Sequence, residues 1–268
     1  MRDRVVLITG ATDGIGKQTA LDLARLGATA LVHGRSRSRG EAVCAQIRKA
    51  TGDDRVELFV ADFASMKQVR ELAAQVKAQH DRLHVLINNA GVFTRERKVT
   101  EDGFEMTFAV NHLAHFLLTN LLLGLLKASA PARIINVSSA MHLGGRIDLD
   151  DLQLQKRFSG SAAYAASKLA NVLFTNTLAE RLKGVGITAN SLHPGAVTTK
   201  MLAAAANMTG ISPKEGAETS VYLASASEVE TVTGKYFVRK RETQPASAAR
   251  DNRLMQKLWE ISEKLVGL

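Results

Sequence analysis

The chain has 268 residues, a net charge of +9 and 46% hydrophobic residues. That length and composition predict a large folded domain with a sizeable core and argue against a disordered chain. The single cysteine, Cys44, excludes an intrachain disulfide and favours a reducing compartment such as the cytoplasm. We expect neither a signal peptide nor a transmembrane segment, because an apolar strand starts at Val5 and polar residues interrupt the most apolar stretch, 113–126.

Strands and helices alternate along the chain without long linkers. Strands are predicted at 5–9, 28–33, 55–60, 83–87, 133–137, 187–192 and 235–238. Helices are predicted at 14–26, 37–50, 65–79, in two stretches within 103–128, and at 162–183, 213–224 and 252–264. Several strands are continuous apolar runs, which indicates a sheet covered on both faces. The pattern predicts a single-domain α/β fold: a doubly wound parallel sheet of the Rossmann type, with helices on both faces.

Three glycines lie in the turn between the first strand and the first helix, at Gly10, Gly14 and Gly16. Glycine permits a tight turn and a close approach of the backbone to a pyrophosphate, and the helix N-terminus offers free N–H groups. A glycine-rich turn without a ligand is the alternative. The position at the start of a strand–helix–strand pattern favours a dinucleotide site.

The residues after the second strand indicate which dinucleotide binds. An acidic residue there binds the ribose 2′-hydroxyl of NAD, whereas an arginine accommodates the 2′-phosphate of NADP. The stretch 33–39 contains three arginines and no carboxylate occurs before Glu41. Cations at a helix N-terminus are unfavourable unless an anion is bound. We therefore predict NADP(H) bound by Arg35, helped by Arg37 or Lys17; a solvated basic turn is the alternative.

Tyr164 and Lys168 lie four residues apart in an Ala-rich segment without Gly or Pro, which predicts a helix. Positions i and i+4 lie on one face of a helix. A nearby cation favours the phenolate and lowers the pKa of a tyrosine from its ordinary value of about 10. The pair is therefore suited to proton transfer.

In combination these motifs resemble the short-chain dehydrogenase/reductase family. They occur in the family's order, namely the loop 9–16, 88–91, Asn111, Ser139, Tyr164 with Lys168, and Pro194-Gly195 with Thr199. A narrower resemblance, on 136–140, 167–174, 193–195 and 258–263, is to the retinol dehydrogenase-like, NADP-dependent branch. The resemblance covers the whole chain, 1–268, and implies a cofactor half of about 1–135 and a catalytic half of about 136–268.

The resemblance implies a role for each catalytic residue. Tyr164 would donate a proton to the carbonyl oxygen during reduction and accept one during alcohol oxidation. Lys168 would lower the pKa of Tyr164 and hold the nicotinamide ribose. Ser139 would polarise the substrate oxygen, and Asn111 would hold a water that relays protons. Two alternatives remain: Ser138 in the place of Ser139, and an Asn111 amide that merely satisfies backbone groups.

The resemblance also implies the residues around the ligands. The expected cofactor contacts are Gly10, Thr12, Asp13, Gly14, Ile15, Gly16, Arg35, Asp62, Phe63, Asn89, Ala90, Gly91, Tyr164, Lys168, Pro194, Gly195, Val197 and Thr199. The segments after Ser139 and Thr199 follow strand ends and should border an apolar substrate pocket that includes Ser139, Met141, His142 and Met201. We interpret 200–210 as a mobile helical lid. No metal site is expected, because the histidines show no recognised ligand spacing.

The activity that follows is hydride transfer between NADP(H) and an apolar aldehyde, ketone or alcohol. A catalytically silent NADP-binding regulatory or scaffold protein is one alternative, and a basic nucleic-acid binder is another. Aromatic residues make up only 5% of the chain and none lies in the basic clusters at 1–40, 95–98 and 239–241, so we expect no nucleic-acid partner. A cytoplasmic protein is expected, and a homodimer is left open.

Overall fold

An eight-stranded sheet runs through the residues that this computed structural model describes, 1–198 and 210–268. Its strands are β1 (Val5–Ile8), β2 (Thr29–Gly34), β3 (Val56–Val60), β4 (Val85–Asn88), β5 (Ala132–Val137), β6 (Ile187–His193), β7 (Tyr236–Val238) and β8 (Arg241–Thr243). The spatial order is β3-β2-β1-β4-β5-β6-β7-β8, and only the β7–β8 pair is antiparallel. The order reverses between β1 and β4, which creates a crevice at the carboxyl ends of those strands.

Helices cover both faces of the sheet. They are α1 (Gly14–Arg25), α2 (Arg37–Thr51), α3 (Met66–Gln79), α4 (Met106–Ala128), α5 (Gly160–Arg181), α6 (Pro213–Ser225) and α7 (Asn252–Val266). Side chains cap several N-termini: Ser36 begins α2, Ser65 begins α3, and Ser212 forms a capping box with Glu215 on α6. The predicted doubly wound α/β fold is confirmed.

Two hydrophobic cores lie on opposite faces of the sheet. The larger one joins α3, α4, α5 and α7, and the other joins α1, α2 and α6. Alternate residues of one strand supply the two cores, as Leu7 does for the first and Val6 and Ile8 for the second. The amphipathic helix α7 buries Trp259 against Phe116 and Phe174. The C-terminal helix is therefore part of the core that supports α4 and α5.

Among the described residues, α4 is the one helix that is long and apolar enough to cross a membrane. Within its most apolar window, however, 72% of the residues are buried inside the domain. A core helix of a globular protein passes the same test of length and composition. The helix packs against α3, and its side chains Phe116 and Leu117 are fully buried, so it gives little support for a membrane span.

The structure differs from the predicted elements in two places. The two helical stretches expected within 103–128 are one helix, Met106–Ala128, which contains a π-helical turn at Ala109–Leu113. The edge strand β8 was not predicted, because its three residues are all exposed and show no apolar alternation. The turn before β8 uses Arg239 and Lys240 with φ of 49° and 63°, where glycine or asparagine is usual. The expected lid at 200–210 lies, apart from its last residue, outside the described residues.

Candidate active site

A cleft of about 410 Å³ opens at the carboxyl edge of the sheet, where the strand order reverses. It brings together most of the predicted cofactor contacts, namely Gly10, Thr12, Asp13, Gly14, Ile15, Gly16, Arg35, Asp62, Phe63, Asn89, Ala90, Gly91, Tyr164, Lys168 and Pro194. The volume is within the range of small-molecule and cofactor sites. The cofactor loop and the catalytic pair, more than 140 residues apart in the chain, therefore share one site.

The glycines of the first loop allow close contact between the loop and the segment after β4. Gly10 has a φ of +65°, and a Cβ there would lie 2.8 Å from the Cα of Ala90. A Cβ on Gly16 would lie 2.4 Å from the carbonyl oxygen of Gly10. Helix α1 begins at Gly14, and its first residues line the cleft. The Gly14 N–H donates to Asp13 Oδ1 at 2.9 Å, and the next N–H groups of the first turn are placed to meet an anionic group such as a pyrophosphate.

The hydroxyl of Thr9 joins the loop to the end of β4. Its Oγ1 accepts hydrogen bonds from the backbone N–H groups of Asn89 (2.8 Å) and Ala90 (2.9 Å). The same oxygen lies 3.0 Å from Nε2 of His115, and the other ring nitrogen of His115 lies 3.0 Å from the carbonyl oxygen of Asn111. Because Oγ1 already accepts two bonds, it donates to Nε2, so the Nδ1–H of His115 donates to Asn111. A buried histidine thus links the cofactor loop to helix α4, next to Asn111.

Arg35 is the basic residue that lines the cleft at the end of β2. Its side chain is exposed, and no hydrogen bond or ion pair to another described residue engages it. Arg37, by contrast, lies 3.9 Å from Glu41 and is absent from the cleft wall, as is Lys17. The geometry therefore separates Arg35 from the two helpers that were proposed with it.

The expected contacts after β3 divide between the cleft and the core. Asp62 lines the cleft, and its Oδ1 accepts a hydrogen bond from the Ala64 N–H. Phe63 reaches the cleft wall, but its side chain stacks on His33 with 4.4 Å between ring centroids and meets His115 edge-on at 5.3 Å. The residue is only 3% exposed. The ring of Phe63 is thus used by the core, and Asp62 is the polar group left for a ligand.

Lys168 is almost fully buried, with 2% of its surface exposed. Its Nζ donates a hydrogen bond of 3.0 Å to the carbonyl oxygen of Val137, the last residue of β5. Burial lowers the pKa of Lys168 to about 8. The ammonium lies 5.5 Å from the centroid of the Tyr164 ring, so helix α5 presents both groups to the cleft as the i, i+4 spacing predicted.

Tyr164 does not show the lowered pKa that the sequence led us to expect. Burial raises its pKa to about 12, and a hydrogen bond with the Ser139 side chain offsets only part of that rise. The nearby ammonium group is directed to the Val137 carbonyl rather than to the phenol oxygen, so burial dominates. The Tyr164 ring also meets the edge of Phe93 at 5.9 Å, which fixes its position at the cleft.

The structure separates the roles of the two adjacent serines. The Ser138 hydroxyl is buried and donates to the carbonyl oxygen of Lys168 at 2.7 Å, which holds the strand end against α5. The Ser139 side chain accepts from the Met141 N–H at 3.2 Å and is hydrogen-bonded to Tyr164. Ser139 therefore matches the predicted position beside the phenol, and Ser138 has a structural contact.

Asn111 lies in the π-helical turn and is fully buried. Its Oδ1 accepts from the Val92 N–H at 2.8 Å, and its Nδ2 donates to the Val92 carbonyl oxygen at 3.1 Å and to Ser167 Oγ at 3.0 Å. The side-chain amide is therefore fully engaged, as the alternative reading of Asn111 had it. It ties the loop after β4 to helix α5, and the water relay predicted for Asn111 stays a prediction.

His142 was expected in the substrate pocket, and this expectation is wrong for its side chain. The residue is fully buried, with Nδ1 at 2.7 Å from the Ser139 carbonyl oxygen and Nε2 accepting from the Ala246 N–H at 3.1 Å. Both nitrogens are thus occupied away from the cleft. Its neighbours Met141 and Leu143 are 40% and 61% exposed, in the turn that follows Ser139.

The remaining predicted residues follow β6. Pro194 lines the cleft, while Gly195 and Val197 lie next to it along the chain. Gly195 has a φ of +95°, and Val197 is buried and forms a bridge with Ile211. Thr199 and Met201 lie outside the described residues. Within 1–198 and 210–268, no group of three or more possible metal-binding side chains is present.

Several cleft residues were missed from the sequence, namely His33, Ala61, Val92, Met106, Val110 and Val137. Met106 and Val110 have the i, i+4 spacing of residues on one face of a helix, and Val110 directly precedes Asn111. This spacing could have indicated that both side chains lie on the face of α4 that borders the site. His33 carries no motif of its own. Its place follows from a tertiary contact, in which its Nδ1 accepts from the Gly10 N–H at 3.3 Å.

Comparison with known proteins agrees with this geometry. A sequence profile of the short chain dehydrogenase family matches residues 4–210. The chain belongs to this family. Human retinol dehydrogenase 13 is 46% identical over 285 residues, which cover 99% of this chain and 85% of that protein.

Solved structures show the same fold. The crystal structure of an uncharacterised protein from Mycobacterium paratuberculosis has a TM-score of 0.84 at 34% identity, covering 99% of this chain and 94% of that one. A short chain dehydrogenase from Escherichia coli CFT073, complexed with NADPH, has a TM-score of 0.76 at 27% identity. The aligned region covers 90% of this chain and 98% of the Escherichia coli chain.

The buried histidines make the stability of this site depend on pH. Burial lowers the pKa of His33 to about 4, of His112 to about 4 and of His115 to about 3, from 6.5. Below pH 6.5 these histidines take up protons in the unfolded chain but not in the folded one. Acidification from pH 6.5 towards pH 4 therefore lowers the free energy of unfolding, by up to about 1.4 kcal/mol per histidine per pH unit. Urea unfolding at about pH 7 and about pH 5.5 measures this slope.

The variant His112→Phe provides the comparison. His112 lies among Phe108, Phe116 and Phe174, so a phenylalanine is compatible with its surroundings. This variant should show a shallower pH slope than the wild-type protein. Equal stability of the wild type at both pH values would contradict the neutral assignment of these histidines.

Proposed function

We propose that the protein is an NADP(H)-dependent oxidoreductase that transfers a hydride between the nicotinamide and an apolar aldehyde, ketone or alcohol. Membership of the family supports an oxidoreductase that acts on alcohols or carbonyls. The observation that carries the proposal is the pair Tyr164 and Lys168 at the wall of a cleft that the glycine-rich loop also lines, with Ser139 hydrogen-bonded to Tyr164. A bound nicotinamide nucleotide would supply or accept the hydride.

The protein groups handle the proton. With a pKa of about 12, Tyr164 stays protonated at neutral pH and is suited to donate to a carbonyl oxygen. Lys168 has a pKa of about 8 and is mostly charged at neutral pH, so its ammonium, 5.5 Å from the ring, stabilises the phenolate that forms. Ser139 is hydrogen-bonded to Tyr164 and polarises the same oxygen.

The preference for NADP(H) rests on Arg35. Its guanidinium borders the cleft without a carboxylate partner among the described residues, and the chain has no acidic residue between Gly34 and Glu41. A guanidinium donates two parallel hydrogen bonds to a phosphate. The relative from Escherichia coli was solved with NADPH, which supports the same cofactor here.

The apolar character of the substrate rests on the apolar wall of the cleft and on a rim that we propose Met141 and Leu143 to form. Met141 and Leu143 are exposed beside Ser139, and Val92, Met106 and Val110 line the interior. In a cleft with apolar walls and a few polar groups, the polar groups bind the one oxygen of an apolar molecule and so fix its orientation. The likeness to retinol dehydrogenase 13 supports an apolar alcohol or aldehyde. A cytoplasmic location, proposed from the single cysteine, is compatible with the buried thiol of Cys44.

Replacement of Tyr164 by phenylalanine should lower kcat for NADPH-dependent carbonyl reduction by roughly 10²–10⁴-fold, because a positioned acid contributes that much. Cofactor affinity, measured by NADPH fluorescence, should change little. The matched control is Tyr222→Phe, which removes a hydroxyl on α6 away from the cleft. A Tyr164→Phe protein with wild-type turnover would overturn the assignment of the acid. Cofactor binding without any turnover in the wild type would instead favour a catalytically silent protein.

Replacement of Arg35 by glutamine should weaken NADPH binding roughly tenfold or more and leave NADH binding nearly unchanged, because only NADPH carries the phosphate that Arg35 would contact. Arg37→Gln is the control, since Arg37 carries the same charge but lies outside the cleft wall. Calorimetric titration with both cofactors measures the ratio. Equal weakening of both cofactors, or a wild-type preference for NADH, would contradict this role.

Straight-chain aldehydes of increasing length test the apolar pocket. Each additional buried methylene should raise kcat/KM, with up to about 0.8 kcal/mol of binding per group until the pocket is filled. Met141→Ser should flatten the series, because it removes an apolar rim side chain. Lys257→Ser, on the exposed face of α7, is the control. A flat series in the wild type, or faster turnover of a charged substrate, would refute the apolar pocket.

A further inference from the structure

A second cavity lies at the opposite edge of the sheet from the cleft. It has a volume of about 230 Å³ and is lined by Met1, Arg2, Arg4, His84, Val85, Pro131, Arg133, Ala224, Ser225, Ser227 and Glu230. The cavity is at the amino ends of the central strands β1, β4 and β5. Its lining includes the residues that directly precede these strands, namely Arg4, His84 and Pro131. It shares no residue with the cleft that holds Tyr164 and Lys168.

The cavity contains an excess of positive charge. Three arginines, Arg2, Arg4 and Arg133, line it together with one acidic residue, Glu230. No carboxylate of the described residues lies within 4 Å of the three guanidinium groups. Burial lowers the pKa of both His84 and Arg133, and the charge of Arg4 lowers each further, while Glu230 and, to a lesser extent, Glu228 act on Arg133 in the opposite direction.

His84 supplies an uncommitted donor in the same cavity. The residue is only 6% exposed. Its Nδ1 accepts a hydrogen bond of 3.0 Å from the Val5 N–H, so the proton of the neutral ring is on Nε2. No acceptor among the described residues is bonded to Nε2. Nε2 is not among the buried side-chain atoms that lack a partner, so its N–H is open to the space of the cavity, where a ligand or solvent can accept its hydrogen bond.

The arginines are held in place by backbone carbonyls. Nη1 of Arg133 donates to the carbonyl oxygens of Leu223 (3.0 Å) and Ala226 (2.8 Å), at the end of α6. Nη1 of Arg4 donates to the carbonyl oxygen of Pro131 at 3.4 Å. These contacts occupy one nitrogen of each guanidinium and leave the others available. The donors are thus arranged before a ligand arrives, which reduces the entropy lost on binding.

We propose that this cavity binds a phosphate group. A phosphate accepts several hydrogen bonds at once, and guanidinium groups match its geometry and charge. Arg4 and Arg133 supply the charge, and His84 supplies a donor from the cavity wall. The phosphate could belong to a soluble phosphomonoester or to a lipid headgroup, since the same chemistry recognises both. This site is independent of the oxidoreductase activity proposed for the cleft.

The imidazole resonance of His84 gives a readout that the cofactor cleft does not disturb. Inorganic phosphate, added at constant ionic strength in exchange for chloride, should shift this resonance with a saturating curve. It should also raise the pKa of His84, because a nearby anion favours the charged ring. The resonance is identified by its loss in His84→Gln. Arg4→Gln should weaken the phosphate response about tenfold, whereas Arg25→Gln, an arginine on the same edge outside the cavity, should leave it unchanged.

A second variant acts in the opposite direction. Glu230→Gln removes the one carboxylate of the cavity and should tighten phosphate binding, which loss of folding could not imitate.

Sedimentation with phosphatidylcholine vesicles, with and without phosphatidic acid, tests whether the bound phosphate belongs to a lipid headgroup or to a soluble molecule. Binding to phosphatidic acid alone, lost in Arg4→Gln, assigns the site to a lipid phosphate, and a saturable response to inorganic phosphate assigns it to a soluble one. No response to either probe, equal weakening in Arg4→Gln and Arg25→Gln, or weaker binding in Glu230→Gln would overturn the proposal.

Discussion

The hydrogen bond between Lys168 Nζ and the Val137 carbonyl is the contact on which the catalytic geometry depends. A buried ammonium needs an acceptor, and this one is the last carbonyl of β5, at 3.0 Å. The bond fixes α5 against the end of the strand, and the Ser138 hydroxyl adds a second bond between the same elements. Tyr164 lies one helical turn before Lys168, and Ser139 follows directly after the strand. One contact therefore brings the proposed acid, cation and polarising hydroxyl to the same edge of the sheet.

Burial sets the protonation states of this group more strongly than the attraction between its members. It raises the pKa of Tyr164 to about 12 and lowers that of Lys168 to about 8. Sequence spacing correctly placed the two side chains together, but it could not give the depth at which they lie. Tyr164 holds its proton tightly, and Lys168 holds its proton weakly. In the proposed reduction Tyr164 donates its proton, and Lys168 then stabilises the phenolate and can reprotonate it.

The sequence predicted the features that depend on local pattern. Apolar strands and glycine spacing gave the sheet, the first loop and the positions of Tyr164 and Lys168, because these follow from backbone periodicity. The direction of individual side chains was less accessible. His142 and Phe63 point into the core because Ala246 and His33, distant in the chain, receive them. The strand β8 was missed because its three exposed residues are placed by pairing with β7 rather than by their own pattern.

Part of the positive charge of the chain, first considered as a sign of nucleic-acid binding, lies at two opposite edges of the sheet. Arg35 follows β2 at the carboxyl edge, whereas Arg4 precedes β1 and Arg133 lies near the start of β5 at the amino edge. Parallel strands place their carboxyl ends together and their amino ends together, so charges that alternate along the sequence separate into two groups in space. Each group borders a concave site of a few hundred cubic ångströms rather than an extended surface. Compact pockets of this kind match single phosphate groups better than the backbone of a nucleic acid, which needs many contacts along a groove.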